Sequence, residues 1–356
     1  LHPHIVPRCQ TRGMDIGIYL AYAPWIPLPE QLTLARAADE LGFHSVWVAE
    51  TWGQDATVVL GALAATTEQV RLGAAILQIP ARQPTTTASA ISTIDQISGG
   101  RAMLGLGLSG PQVSEGWYGV PFVSPLGRTR EYIDIVRMAL AREKVAYEGK
   151  HWQLPATEGL GLGKPLKMIG RPVQDSVPIY LGVMGERTVR QAGQIADGWL
   201  PAFYSPQYAD MLNAPLLAGI EAAGRSRSDV NIAPSVPIAL ADTVEQARDL
   251  LRPILTFYFG AMGAKDKNFY IELATRYGFG DVALRCQELF LAGDKVGAAM
   301  SLTPEIIDLA AIAATPATLE NELSAYADCG ADTLVALPFG DRPALLKALS
   351  GYLPGT

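Results

Sequence analysis

Histidine and cysteine are scarce in this 356-residue sequence, with four of the first and three of the second. His2 and His4 lie in a ragged N-terminal stretch, so the body of the chain keeps only His44 and His151. Two residues cannot build a three-histidine metal site, and a Ser–His–Asp triad would have to use one of them. Cys9, Cys286 and Cys329 are odd in number and far apart, which reads as reduced thiols in a cytoplasmic protein rather than a disulfide framework. Cys286 falls among Val282, Leu289 and Phe290 at helical spacing, a core position. No apolar run approaches the roughly 18 residues of a membrane span. Twenty-eight Lys+Arg against 35 Asp+Glu give a net charge of −7, a poor match for nucleic acid. No metal, nucleic acid or membrane partner is therefore expected. The substrate is expected to be a small molecule, and the chemistry to come from a cofactor.

What is present is an alternation of short apolar runs with longer helical patterns. Strands are expected at 15–20, 44–49, 70–78, 101–107, 178–182, 197–200, 231–239 and 332–338. They are continuous apolar runs, as when both faces of a sheet are covered. Helices are expected at 30–41, 55–67, 85–98, 127–142, 186–195, 206–224 and 243–259, with more before 329. Eight strand–helix repeats make this an α/β chain with a (β/α)8 TIM barrel. An internal echo agrees: ADELGFHSVWV (38–48) and ADCGADTLVAL (327–337) each end a helix, turn at Gly42 or Gly330 in a left-handed cap, and open a strand. Residues 1–13 are expected to be an extension or expression remnant, and 14–356 one domain. Its insertions fall near 109–126, 144–177 and 260–316. The second holds a hairpin turning at Gly149, and the third reads as a helical excursion. Long insertions of this kind are lids, binding loops or interfaces.

A barrel carries its site at the C-terminal ends of its strands. Those ends are rich in Gly, aromatic and small polar residues around Tyr19–Tyr22, Glu50–Trp52, Ile76–Pro80 and Gly107–Gly110. Such a mouth suits a flat ring better than a compact sugar phosphate. Gly182-Val183-Met184-Gly185 turns straight into helix 186–195, and N–H groups at a helix start can seat a phosphate. Glu50 is either a rim salt bridge or functional. His44, at the opposite end of its strand, reads as structural, and His151 beside Trp152 as surface. The glycines of 105–110 lack the spacing of a dinucleotide fingerprint.

The segments LGFHSVWVAE (41–50), Arg71-Leu72-Gly73 through Pro84, SGGR (98–101), GLGLSGPQVSEGWYG (105–119), RTREY (128–132) and IADGW (195–199) occur in a characteristic order. Together they resemble the bacterial luciferase-like monooxygenase superfamily, in its branch using the deazaflavin coenzyme F-420, from about Met14 to Phe339. The resemblance implies a coenzyme across the mouth and a third-strand bulge with a non-prolyl cis peptide at Ala75-Ile76. It implies cofactor contacts from Tyr19, Glu50, Ala75, Ile76, Gln78, Ser109 and Gly110, and a phosphate at Gly182, Val183, Met184, Gly185 and Glu186. Glu115 looks like a glutamate tying down its loop. A homodimer is also implied.

One departure bears on chemistry. Relatives that oxidise alcohols with this coenzyme place a histidine after the acid, where this chain has Glu50-Thr51. The resemblance therefore points to hydride transfer from the coenzyme to an enone, imine or aldehyde rather than alcohol oxidation. Glu50, Thr51, Tyr19 or Tyr22 is expected to supply a proton or a hydrogen bond. Arg187 and Arg190 are candidates for the coenzyme's anionic tail, and Trp52, Trp117, Tyr118 and Phe203 for the substrate wall. Three alternatives stand beside this: an FMN-dependent monooxygenase, a non-catalytic flavin or deazaflavin carrier, and a phosphate-sugar lyase or isomerase on the same barrel, against which the few Lys and His at the strand ends argue.

Overall fold

In a computed structural model of the chain, residues 13–265 and 267–355 are described. The expected extension, with Cys9, His2 and His4, lies almost wholly outside them. Eight parallel strands follow one another around a barrel: Asp15–Leu20, Ser45–Val48, Arg71–Ala74, Ala102–Gly107, Ile179–Leu181, Gly198–Trp199, a two-part seventh, and Thr333–Phe339. The seventh consists of Asn231–Ile232, paired with the sixth, and Ser235–Leu240, paired with the eighth. Pro234 between them has no N–H to give a ladder. The eighth strand pairs with the first, Asp15 opposite Thr333, and closes the ring.

The structure differs from the sequence reading within 260–316. Four helices are there, Phe269–Arg276, Gly280–Leu291, Lys295–Ser301 and Pro304–Ala310, but they lead into an added parallel strand, Ile312–Ala314. It pairs with the seventh strand, Ile238 opposite Ile312. The run AAIAA is too short and too uniformly apolar for its period to separate strand from helix end. The hairpin at Gly149 forms as expected, with Tyr147 opposite Leu154.

Helix boundaries follow local chemistry. Asp55 caps helix Ala56–Thr66, accepting from the N–H groups of Thr57 and Val58 at 2.8 and 3.3 Å. Thr243 and Gln246 form a capping box at the start of Val244–Gly260. Gly42 and Gly330 take φ of 82° and 88°, the left-handed conformation their echo required.

Several of the most recognisable segments pin the end of the barrel away from the site. Arg101 donates to the carbonyls of Thr67 and Val70 at 2.7 and 2.6 Å. Asp39 accepts from the N–H groups of Glu68, Gln69 and Val70 at 2.7–2.8 Å. Burial alone would raise its carboxyl pKa, but these N–H groups, helped by Arg101, bring it below the usual value. Asp197 accepts from the Ile179 N–H at 2.9 Å. His44 Nε2 lies 3.6 Å from Asp15 at this same end, the structural position the sequence suggested. Inside the barrel Trp47 packs edge-on against Tyr180, 5.0 Å between centroids. Gly198 leaves the room the Tyr180 ring occupies. Cys286 is fully buried, and burial pushes its thiol up to about 11.

Candidate active site

The third strand does not run straight to the mouth. After Ala74 the chain bulges through a cis Ala75–Ile76 peptide and resumes at Leu77–Gln78, which pairs with Leu106 and Gly107. Glycines on the neighbouring strands make this possible. A Cβ on Gly107 would come within 2.9 Å of Ile76 Cδ1, and one on Gly182 within 2.8 Å of Ile76 Cγ2. A Cβ on Gly105 would collide with the Ala74 carbonyl oxygen. Tyr19 donates its hydroxyl to the Ala75 carbonyl at 3.0 Å and holds the bulge from the first strand.

Glu50 holds the bulge from the second. It is 6% exposed, and Arg82 grips it with two hydrogen bonds of 2.7 and 2.6 Å. The carboxylate also accepts from the N–H groups of Gln78 and Ala56 at 3.1 and 3.3 Å. Arg82 reaches on to Asp55 at 2.9 Å. Burial by itself would lower the guanidinium pKa, but the Glu50 and Asp55 carboxylates outweigh it and fix the charge. The sequence offered Glu50 as a catalytic group that gives a proton or bonds the ring. With both oxygens engaged, its geometry is that of a positioning residue, tying the end of strand two, the bulge and the start of helix Ala56–Thr66 together. Thr51 lies beside it, half-buried, with no carboxylate or imidazole to activate it among its described hydrogen-bond partners.

A cavity of about 350 Å3 opens over the bulge. It gathers Tyr19, Glu50, Thr51, Ala75, Ile76, Gln78, Ser109, Gly110 and Gly182–Gly185, all the residues expected to act in catalysis or to contact the cofactor ring and phosphate except Glu186. Glu186 lines an adjoining cavity with Arg187, Thr188 and Arg276. Arg190 lines neither, Trp52 borders the main cavity, and Phe203 lines a smaller one beneath it. Trp117 is 62% exposed and Tyr118 is half-buried; neither lines the main cavity. Glu115 accepts from the Phe122 N–H at 3.0 Å, tying its loop. A larger groove, about 510 Å3, lies outside the barrel beside helix Pro84–Ser98, but no carboxylate, imidazole or phenol lines it. The mouth is where polar groups converge.

The mouth fits a flat heteroaromatic ring with an anionic chain. Gln78 and Tyr22 both border this cavity, and Gln78 Oε1 and the Tyr22 hydroxyl are enclosed without hydrogen-bond partners. Gly110 offers open space where a Cβ would be. Helix Glu186–Ile195 starts at Gly185 with no side-chain cap, so its first N–H groups are free for an anion. Burial drives the phenols of Tyr19, Tyr22 and Tyr270 well above the usual tyrosine range. Among the described residues no group of three His, Cys, Asp or Glu is placed to hold a metal. None of their helices is long and apolar enough to cross a membrane.

The luciferase-like monooxygenase family profile matches residues 13–333. The chain belongs to the luciferase-like monooxygenase family. It is 42% identical over 328 residues, 91% of this chain and 94% of the other, to a Mycobacterium tuberculosis protein provisionally named coenzyme F-420-dependent oxidoreductase Rv3520c. It is 28% identical over 330 residues to the 5,10-methylenetetrahydromethanopterin reductase of Archaeoglobus fulgidus, covering 91% and 93% of the two chains. Its fold matches the coenzyme F-420-dependent tetrahydromethanopterin reductase of Methanopyrus kandleri with a TM-score of 0.83 at 23% identity, over 96% and 98% of the chains.

For this family member, sequence reasoning missed the roof of the site. Tyr258, Met262, Lys267, Phe269, Tyr270 and Glu272 come from one helix end and the excursion behind it. Arg82, the partner of Glu50, was also missed. The cluster FYFG at 257–260 was the available signal, but it reads equally as core packing.

Proposed function

We propose that this chain is a coenzyme F-420-dependent reductase that places hydride on an electron-poor acceptor, an enone, imine or aldehyde. The observation that carries it is the mouth cavity, walled by the Ala75–Ile76 bulge and bearing the unpaired Gln78 Oε1 and Tyr22 hydroxyl. The similarity to Rv3520c supports the same cofactor.

Reduced coenzyme F-420, when bound, supplies a hydride at C5 of its central ring. Gln78 Oε1 offers an acceptor to a ring N–H. The N–H groups at the start of helix Glu186–Ile195 would hold the phosphate, with Arg187 and Arg276 beside its anionic extension. Tyr19, Glu50 and Arg82 keep the bulge in place. Alcohol oxidation is disfavoured because it needs a base: Glu50 is engaged by Arg82, and Thr51 is a poor one.

Equilibrium titration tests the reading. Tight binding of coenzyme F-420 with negligible FMN affinity is expected, followed by oxidation of the reduced coenzyme with a panel of enones, imines and aldehydes. Preference for FMN would overturn it. The reading also includes a homodimer. Leu160, Leu162 and Ile169 of the 144–177 insertion are 90%, 82% and 95% exposed, apolar side chains that a second copy would cover. Sedimentation velocity should return twice the chain mass, and a monomer at all concentrations would remove this part.

A further inference from the structure

The smaller cavity beneath the bulge has a volume of about 160 Å3. Tyr19, Ile76, Gly182 and Tyr258 line both it and the main cavity, so the two spaces meet along the bulge. Leu200, Ala202, Phe203, Ser235, Pro237 and Leu337 line the smaller one and not the main one. None of the described residues around it is charged, and the Ser235 hydroxyl turns to the Pro201 carbonyl at 3.4 Å. Glu50, Thr51, Gln78, Gly185 and Glu186, from which polar contacts to the coenzyme are expected, do not reach it.

Small side chains create this space. Barrel interiors are normally filled by layers of bulky residues, and Trp47 packed on Tyr180 is such a layer. Two residues further along the fifth strand, on the same face, stands Gly182; across from it Ala202 and Ser235 are also small. Native interiors leave few voids larger than a water, and an empty one costs stability. Phe203 closes one side. Its φ of 51° is a left-handed backbone that a bulky aromatic residue rarely takes. The Tyr277 hydroxyl holds it there, donating to its carbonyl at 2.8 Å, and its ring packs edge-on against Tyr258 and Tyr270 with centroids 5.2 and 5.4 Å away. Strain of this kind gathers at ligand sites.

We propose that the lower cavity receives an uncharged apolar substituent of the acceptor, so that the substrate is an enal or enone bearing an alkyl or aryl group rather than a small or anionic carbonyl compound. This rests on the hydride-transfer reading above. The volume sets the size of the group. An apolar space of about 150 Å3 stays dry and takes a benzene-sized guest, which corresponds to about six carbons.

The test follows oxidation of the reduced coenzyme by trans-2-alkenals from butenal to dodecenal, in the wild type, Ala202→Leu and Ser235→Val. Wild-type affinity for coenzyme F-420 is measured first and reports on the parent reading alone; failure to bind overturns both. In the wild type kcat/KM is expected to rise about fourfold per methylene up to trans-2-nonenal, whose substituent has six carbons, and to rise no further beyond it. The nonenal-to-butenal ratio should fall about 60-fold in Ala202→Leu, which brings three more carbons into the space, and about fourfold in Ser235→Val. Coenzyme affinity should stay within twofold, and both variants should melt at or above the wild-type temperature because a void is filled. A coenzyme-loaded wild type that turns over no alkenal, a flat series, or a ratio unchanged in the variants would overturn the assignment. So would weaker coenzyme binding in the variants, which would give the space to the coenzyme, or lower melting temperatures in both.

Discussion

Gly105→Ala is expected to destabilise the protein by about 2–3 kcal/mol or more and to weaken coenzyme binding at least tenfold. Gly110→Ala, the same substitution five residues on, should leave stability within about 0.5 kcal/mol and affect binding alone. The difference is what each new methyl group meets. At Gly105 it runs into the Ala74 carbonyl oxygen, a backbone atom at the root of the bulge. Interiors pack at crystal-like density, so strand three can accept that methyl only by moving. At Gly110 no atom lies within 4 Å, and φ of −94° suits any residue. Its methyl would stand in the space assigned to the coenzyme. Urea denaturation of both variants, alongside coenzyme titration, checks the contrast; equal stability losses would mean that Gly105 does not make room for the bulge.

Arg82→Ala is expected to cost about 3–5 kcal/mol, the usual penalty for leaving a buried carboxylate without its partner. The melting temperature should fall by on the order of 5–10 °C. The Glu50 side chain is 3% exposed and that of Arg82 14%, so water cannot replace the lost guanidinium. Glu50→Gln separates position from proton transfer. A positioning Glu50 predicts lower stability and weaker coenzyme binding, with the pH profile of turnover keeping its shape. Loss of one limb of that profile in Glu50→Gln would return Glu50 to the chemistry.

The barrel was legible in the sequence because each strand is a short apolar run bounded by turn residues, and each helix carries a longer pattern of its own. Gly42 and Gly330 marked their turns because only a residue tolerant of positive φ serves there. The added strand Ile312–Ala314 was not legible, since three apolar residues carry no period. The floor of the site was read residue by residue, as Ile76, Gln78, Ser109 and Gly182–Gly185 all reach one cavity. The roles within it were not, and Glu50 is the clearest case. A carboxylate at a strand end has the same letter whether it waits for a proton or is held by an arginine 32 residues away.

By itself, the sequence determined the fold class, the family and which strand ends would meet, because strand order, turn chemistry and glycine placement are local properties of the chain. Its shortage of histidine also ruled out a three-histidine metal site and left a Ser–His–Asp triad only His44 or His151 to use. Only the tertiary structure decided that Glu50 is engaged by Arg82, that Tyr19 is committed to Ala75, and that Tyr22 is enclosed beside Tyr258 with nothing to bond. Those facts depend on contacts between residues far apart in the chain, and no local pattern records whether a polar atom has found its partner.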